Sequence, residues 1–275
     1  MENLVKGFKE HPTFRFTTLL VVLLIALIAL APVLAPYNPL EAVMKDANQA
    51  PSMAHLFGTD KLGRDVLSRI LYGGAYSLSS VLALVAIIFC LGTFLGLVAG
   101  YFGGIIDTVI MRVADMMISF PGVILAIAIA GIMGGSLVNA MIALTAVTWT
   151  KYARLSRSMV LKIRKRDFVD AAIVSGGTSS HILWTHIMPN VVPILVITAV
   201  SDIGAMMMEL AGLSFLGFGS QPPAPEWGLM LNEGRQQLQT APWLMVFPGL
   251  AIFISVVIFN LWGDALRDVL DPRDQ

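Results

Sequence analysis

The sequence predicts an all-α polytopic membrane protein with six transmembrane helices. Of its 275 residues, 56% are hydrophobic and 13% are charged, whereas soluble domains average about 25% charged residues. The mean hydropathy is +0.77, and charged residues are absent from segments 16–40, 70–106, 116–150 and 236–263. A membrane-spanning helix needs about 20 apolar residues, so each of these segments can cross a bilayer. An ordinary soluble protein is therefore excluded.

The first apolar segment follows the basic residues Lys6, Lys9 and Arg15. It is too long for the apolar core of a signal peptide, so we interpret it as an uncleaved first span. Segment 116–150 is too long for one crossing, and Gly134-Gly135-Ser136 at its middle predicts a tight hairpin of two spans. The six predicted spans cover about residues 16–36, 77–101, 114–133, 136–155, 187–212 and 244–264.

The distribution of charge, rather than its total, predicts the orientation. Lys+Arg and Asp+Glu are 18 each, so the net charge of zero indicates no nucleic-acid partner. Six spans place both termini on one side. If the N-terminus is cytoplasmic, the cytoplasmic segments contain 13 of the 18 basic residues, as the positive-inside rule requires. We therefore expect both termini in the cytoplasm.

The loop between the fourth and fifth predicted spans contains a short helix, over about residues 167–177. Asp167 is a suitable N-cap, Asp170 follows three residues later, and Gly176 lies where the helix should stop. Phe168, Ala171 and Ala172 give the helix an apolar side, which has little to bury against in a chain that is otherwise embedded in the membrane. The helix therefore either lies on the lipid surface, aided by the basic residues before it, or docks a soluble partner.

Several motifs carry a resemblance to a known family. Asp170-Ala171-Ala172, Gly176 and His186-Ile187-Met188-Pro189 resemble the EAA coupling loop of ABC importer permeases, with Asp where the family usually has Glu. Residues 55–69 resemble the outer-loop signature HxxGTDxxGRDxxSR of the C-type permease in the dipeptide/oligopeptide/nickel group. Its motif residues include Gly58, Thr59, Asp60, Gly63, Arg64 and Asp65. Segments 213–228 and 259–268 are also characteristic of this group.

The resemblance implies a type I ABC importer permease fold in the bacterial inner membrane, surrounded by lipid. It implies three kinds of partner: a homologous second permease, two ATP-binding subunits and an extracytoplasmic substrate-binding protein. The ATP-binding subunits would contact the coupling helix, whose residues at that contact are Asp167, Phe168, Asp170, Ala171, Ala172 and Gly176. ATP and Mg²⁺ would be bound by the partner subunits, because this sequence has no Gly-Lys pair and therefore no P-loop. We expect no cofactor, catalytic residue or metal site in this chain. The implied division is an N-terminal part at 1–75, a permease core at 76–268 and a tail at 269–275.

Two acids fall within the fifth predicted span. Asp202 and Glu209 are seven residues apart, so they share one helix face. Acids at membrane depth are costly and usually face a bundle interior or an aqueous path. They could form a pathway that attracts a cation. Alternatively, Asp202 lies nearer the membrane surface, or both acids bind neighbouring helices or the partner permease.

Glycines recur every four residues at Gly92, Gly96 and Gly100 in the second predicted span. They predict a smooth groove against which another helix packs closely.

Other functions remain as alternatives. A secondary transporter would need no ATPase, and a membrane enzyme would need a nucleophile or metal motif such as GxSxG or HExxH, neither of which occurs. Within the importer class, segments 111–116 and 231–236 resemble the nickel-type branch, and peptide import is the second possibility.

Overall fold

The computed structural model describes residues 11–270, and they form a helical bundle that confirms the predicted all-α class. Residues Ile182–Ile187 form a π-helical turn that joins the helices Ser179–His181 and Met188–Phe215 into one continuous segment. Short 3₁₀ turns lie at Met44–Asp46 and Arg235–Gln237. The helices are α1 (Pro12–Ala29), α2 (Ala31–Leu34), α3 (Val66–Phe102), α4 (Gly104–Ile118), α5 (Gly122–Met133), α6 (Leu137–Ile163), α7 (Asp167–Val174), α8 (Ser179–His181), α9 (Met188–Phe215), α10 (Trp227–Gly234) and α11 (Trp243–Leu270).

The predicted count of six spans is not reproduced in the described part of the chain. Four segments are long and apolar enough to cross a membrane, namely α1, α3, the continuous α8–α9 segment and α11, and a fifth is obtained when α4 and α5 are counted together. Helix α6 is long enough, but its second half carries Lys151, Arg154 and Arg157, which lower its hydropathy.

The third predicted span, 114–133, is not one straight helix. The axes of α4 and α5 are bent by 92° across residues 119–121. Pro121 explains the break, because proline lacks a backbone N–H and disfavours helical backbone in the residue before it. Helix α5 alone has 12 residues, or about 18 Å of length, which is short of the hydrocarbon core.

Other helices extend beyond their predicted spans. Helix α3 begins 11 residues before residue 77, because Asp65 caps it by accepting a hydrogen bond from the Ser68 N–H at 2.8 Å. Helix α6 continues to Ile163 and α11 to Leu270. A charge-free segment marks only the part of a helix that is apolar enough to lie in lipid, and these helices continue past it. The division near residue 75 stays a prediction, and that residue lies inside α3.

Helix α6 packs against the glycine groove of α3, and the glycine spacing predicts such close packing. A Cβ atom placed on Gly92 would lie 2.5 Å from the Trp149 carbonyl oxygen, and one on Gly96 would lie 2.3 Å from the Ala153 carbonyl oxygen. Here the α3 backbone directly contacts that of α6.

The bundle has two ends that hold different candidate sites. At one end, Arg164 donates a hydrogen bond to the Tyr101 carbonyl at 2.8 Å, and α7 follows; we call this the loop end. The other end holds residues 55–69 and α10; we call it the signature end. Phe14 packs against Leu266 and Val269, so both ends of the described chain meet on the same side of the bundle.

Candidate functional site

Helix α7 is held at the loop end by one buried side chain. Val169 is fully buried and belongs to the main core, so the expectation that the helix has little to bury in its own chain is wrong. Arg166, not Asp167, occupies the N-cap position and makes no side-chain capping bond. Asp167 and Asp170 instead lie in the first turn, where their charges favour the helix dipole.

Helix α7 ends where the sequence predicts. Gly176 has φ +80°, and the Gly177 N–H donates to the Ala172 carbonyl at 3.0 Å. Thr178 then caps α8 by accepting from the His181 N–H at 3.3 Å. Because α8 continues through the π-helical turn into α9, only four residues separate α7 from the long helix that carries Asp202.

The exposed residues of α7 include four apolar ones as well as Asp167 and Asp170. Phe168 is 43% exposed, Ile173 50% and Val174 88%, and Ala171 lies exposed between them. Ala172 is half-buried against the core. The helix is therefore anchored through Val169, and it exposes apolar side chains together with two acids.

Asp202 is paired with α6. It accepts hydrogen bonds from Lys151 Nζ at 2.7 and 2.8 Å and from the Tyr152 hydroxyl at 2.8 Å. The alternative that Asp202 binds a neighbouring helix is therefore observed. Sequence analysis missed Lys151 as its partner because the two residues are 51 positions apart and neither lies in a motif.

Glu209 lies two turns further along α9 and is half-buried. It forms no hydrogen bond or ion pair within residues 11–270. Of the two acids, Glu209 is thus the one whose carboxylate has no hydrogen-bonding partner among the described residues.

The signature loop, residues 55–65, is a compact structure at the start of α3. A Cβ on Gly63 (φ +75°) would lie 1.9 Å from the Val43 carbonyl oxygen, so only glycine fits. Thr59 is buried. Its hydroxyl accepts a hydrogen bond from the Gln49 N–H at 2.8 Å and donates one to the Asp46 carbonyl. Gly58, with φ +74°, packs against the Trp243 indole.

The charged residues of the loop bind other parts of the bundle. Asp65 accepts from Ser68 and pairs with His55 Nδ1 at 2.9 Å. Asp60 and Arg64 form an ion pair at 2.6 Å, and Arg64 reaches Glu233 on α10 at 3.1 Å. The loop is therefore built into the fold, and Glu233 is a partner that the sequence did not reveal, being 169 positions from Arg64.

The sequence is similar to a family model and to several transport proteins. Residues 92–273 match the family model described as binding-protein-dependent transport system inner membrane component. The nickel transport system permease protein NikC of Escherichia coli K12 is 43% identical over 263 residues, covering 94% of this chain and 95% of the relative. The dipeptide transport system permease protein DppC of Alkalihalophilus pseudofirmus is 44% identical, covering 88% and 80%. The glutathione transport system permease protein GsiD of Pectobacterium atrosepticum is 43% identical, covering 93% and 85%.

A solved structure shares the fold. The MetNI methionine ABC transporter, in an inward facing conformation, matches with a TM-score of 0.58 at 20% identity, over 74% of this chain and 97% of the matched chain.

Proposed function

The chain belongs to the family of binding-protein-dependent transport system inner membrane components, within the dipeptide/oligopeptide/nickel group of ABC importer permeases, and from this premise we propose that it is one of two permeases of an ATP-driven importer. Together with a homologous second permease it forms the translocation pathway. Two cytoplasmic subunits bind and hydrolyse ATP with Mg²⁺, and an extracytoplasmic binding protein delivers the substrate. Lipid of the bacterial inner membrane surrounds the pair, and both termini are cytoplasmic.

The shape of α7 is the observation that supports this function best. Phe168, Ala171 and Ile173 are exposed on α7, while Val169 fixes the helix to the bundle's core. An anchored helix with exposed apolar side chains suits a groove in a soluble ATPase. Asp167, Asp170 and Gly176 set its first turn and its end.

Movement of α7 would be passed to the spans as rigid-body motion. Helix α6 leads into α7 at Arg166, and the α8–α9 segment leaves it after residue 178. The Lys151–Asp202 pair joins these two long helices above the loop. Closure of the ATPase subunits would thus shift α6 and α9 together.

The substrate is proposed as nickel, a metal chelate, or a di- or oligopeptide. Relatives named for nickel, dipeptide and glutathione transport match this chain at 43–44% identity, so identity does not separate them. Substrate choice would rest largely with the binding protein. Binding of Ni²⁺, nickel chelates and dipeptides to the binding protein encoded beside this chain would decide between them.

Glu209 is proposed to face the pathway and to attract a nickel ion or the ammonium group of a peptide. The Glu209→Gln variant should reduce uptake severalfold, because it removes the carboxylate on α9 that has no protein partner in the described chain. Uptake is measured at equal expression, with Asp264→Asn as the control that changes an exposed acid on α11. Unchanged uptake by Glu209→Gln would refute the pathway role of Glu209, and unchanged uptake by Asp202→Asn as well would refute a pathway role for either acid.

Co-purification tests the assembly. The chain is expected to purify with an ATP-binding subunit, and replacement of Asp170 and Gly176 together should abolish the complex. A solitary chain that transports its substrate along an ion gradient would instead identify a secondary transporter.

A further inference from the structure

Four charged side chains are buried together at the signature end: Asp60, Arg64, Arg69 and Glu233, which we call the charge cluster. The exposed fractions of their side chains are 10%, 3%, 1% and 13%. Two arginines and two carboxylates balance in charge. Buried ions are tolerated only when they are paired and hydrogen-bonded, so the geometry of this cluster is tightly constrained.

Glu233 is the centre of the charge cluster. Its carboxylate accepts from Arg64 Nη2 at 3.1 and 3.2 Å and from Arg69 Nη2 at 2.7 Å. Asp60 accepts from Arg64 Nε at 2.6 Å and lies 3.5 Å from Arg69 Nη1. The cluster thus ties three segments together, namely the signature loop, the first turn of α3 and α10.

Two buried polar atoms, one within the charge cluster and one next to it, have no hydrogen-bond partner in the described chain. They are Arg69 Nη1, a donor, and Gln237 Oε1, an acceptor. Arg69 and Gln237 both line one small cavity, together with the other three members of the charge cluster. The centre of a water-sized sphere can occupy about 10 Å³ of it, which is about the room that one water molecule needs.

The chemistry of the two atoms selects the occupant. A water molecule can accept from Arg69 and donate to Gln237 at the same time. With the Gln237 amide oriented as in the structure, a chloride ion would satisfy the guanidinium but face the amide oxygen, and a cation would be repelled by the guanidinium. Water therefore fits both groups where either ion fits one.

We propose that the charge cluster and one bound water, bridging Arg69 and Gln237, form a polar joint that fixes α10 to the signature loop. The signature loop, the start of α3 and α10 then move as one unit. A further contact supports the same unit, since Trp227 Nε1 on α10 donates to the Ile70 carbonyl on α3 at 2.9 Å.

The water is tested by thermal unfolding of the purified complex. Gln237→Leu removes the acceptor and should lower the melting temperature by about 2–4 °C, whereas Gln236→Leu at the exposed neighbouring position should not. Replacing chloride by gluconate should leave the melting temperature of the native protein unchanged. Equal melting temperatures for the two variants, or stability that depends on chloride, would overturn the bound water.

The joint is tested with spin labels on Lys61 and Arg235, which are exposed on its two sides, after Cys90→Ser removes the only native thiol. The distance distribution between the labels should be narrow and the same with and without ATP. Glu233→Gln, which removes the central charge, should broaden it. A distance that changes with ATP in the native cluster, or a distribution that Glu233→Gln leaves narrow, would refute the joint.

The ATP arm of this experiment depends on the proposed transport function. The comparison between Glu233 and Glu233→Gln needs no ATPase subunit. If the chain does not bind an ATP-binding subunit, the proposed function is contradicted. The polar joint is then tested by the width of the distance distribution between the labels on Lys61 and Arg235, compared between the native cluster and Glu233→Gln.

Discussion

Replacing Gly96 by alanine is expected to separate α3 from α6 and to lower stability more than a single methyl group ordinarily does. The new Cβ would lie 2.3 Å from the Ala153 carbonyl oxygen and 2.7 Å from the Ser156 Cβ. The first contact is with a backbone atom and the second with a Cβ atom, and neither atom moves when a side chain changes its rotamer. Overpacking of this kind costs about 1–3 kcal/mol, and we expect the upper end.

The matched control is Gly212→Ala on α9. A Cβ at Gly212 would meet no heavy atom within 4 Å, and alanine favours helix over glycine by about 1 kcal/mol. Thermal unfolding of the detergent-purified chain should show the Gly96 variant about 5–10 °C below the native protein and the Gly212 variant at or above it. A Gly96→Ala protein as stable as the native chain would mean that α3 and α6 do not pack at this distance.

Replacing Ala171 by aspartate is expected to detach the ATP-binding subunit and thereby abolish transport. Ala171 is exposed on the outer face of α7, beside Phe168. If this face lies in a groove of the ATPase subunit, the substitution buries a carboxylate with no partner, which costs about 2–3 kcal/mol or more. That cost corresponds to about a 100-fold weaker association. Both co-purification and uptake should therefore be lost.

The control for Ala171→Asp is Ser180→Asp, which adds the same charge at the same end of the bundle but in α8. It is exposed and lies near a helix N-terminus, where an acid is tolerated. Both variants should fold and reach the membrane at native levels. If Ala171→Asp retains the ATPase subunit and full uptake, α7 is not the coupling surface.

The features that sequence analysis predicted well depend on local patterns. Gly176 ends α7 because a glycine adopts positive φ freely, and the spacing of Gly92 and Gly96 produces close helix packing in the structure. The all-α class follows from the long charge-free segments. Each of these inferences uses residues that are close together in the chain.

The features that it missed depend on contacts between distant residues or on breaks inside apolar segments. Pairing of Lys151 with Asp202 and of Arg64 with Glu233 joins residues 51 and 169 positions apart, and no spacing rule relates them. The 92° bend before α5 lies in a charge-free segment, where hydropathy alone shows no interruption. Pro121 was the local signal that could have located it. The burial of Val169 could not be predicted, because the core residues that it packs against are distant in sequence.

The most direct test of the account is substrate uptake into proteoliposomes that contain this chain, its second permease and the ATP-binding subunits, with the binding protein added outside. Uptake should require ATP within the lumen, where the ATP-binding subunits face. It should cease when Ala171→Asp replaces the native chain and should be absent from vesicles that contain this chain alone. Uptake by the solitary chain without ATP would contradict the account.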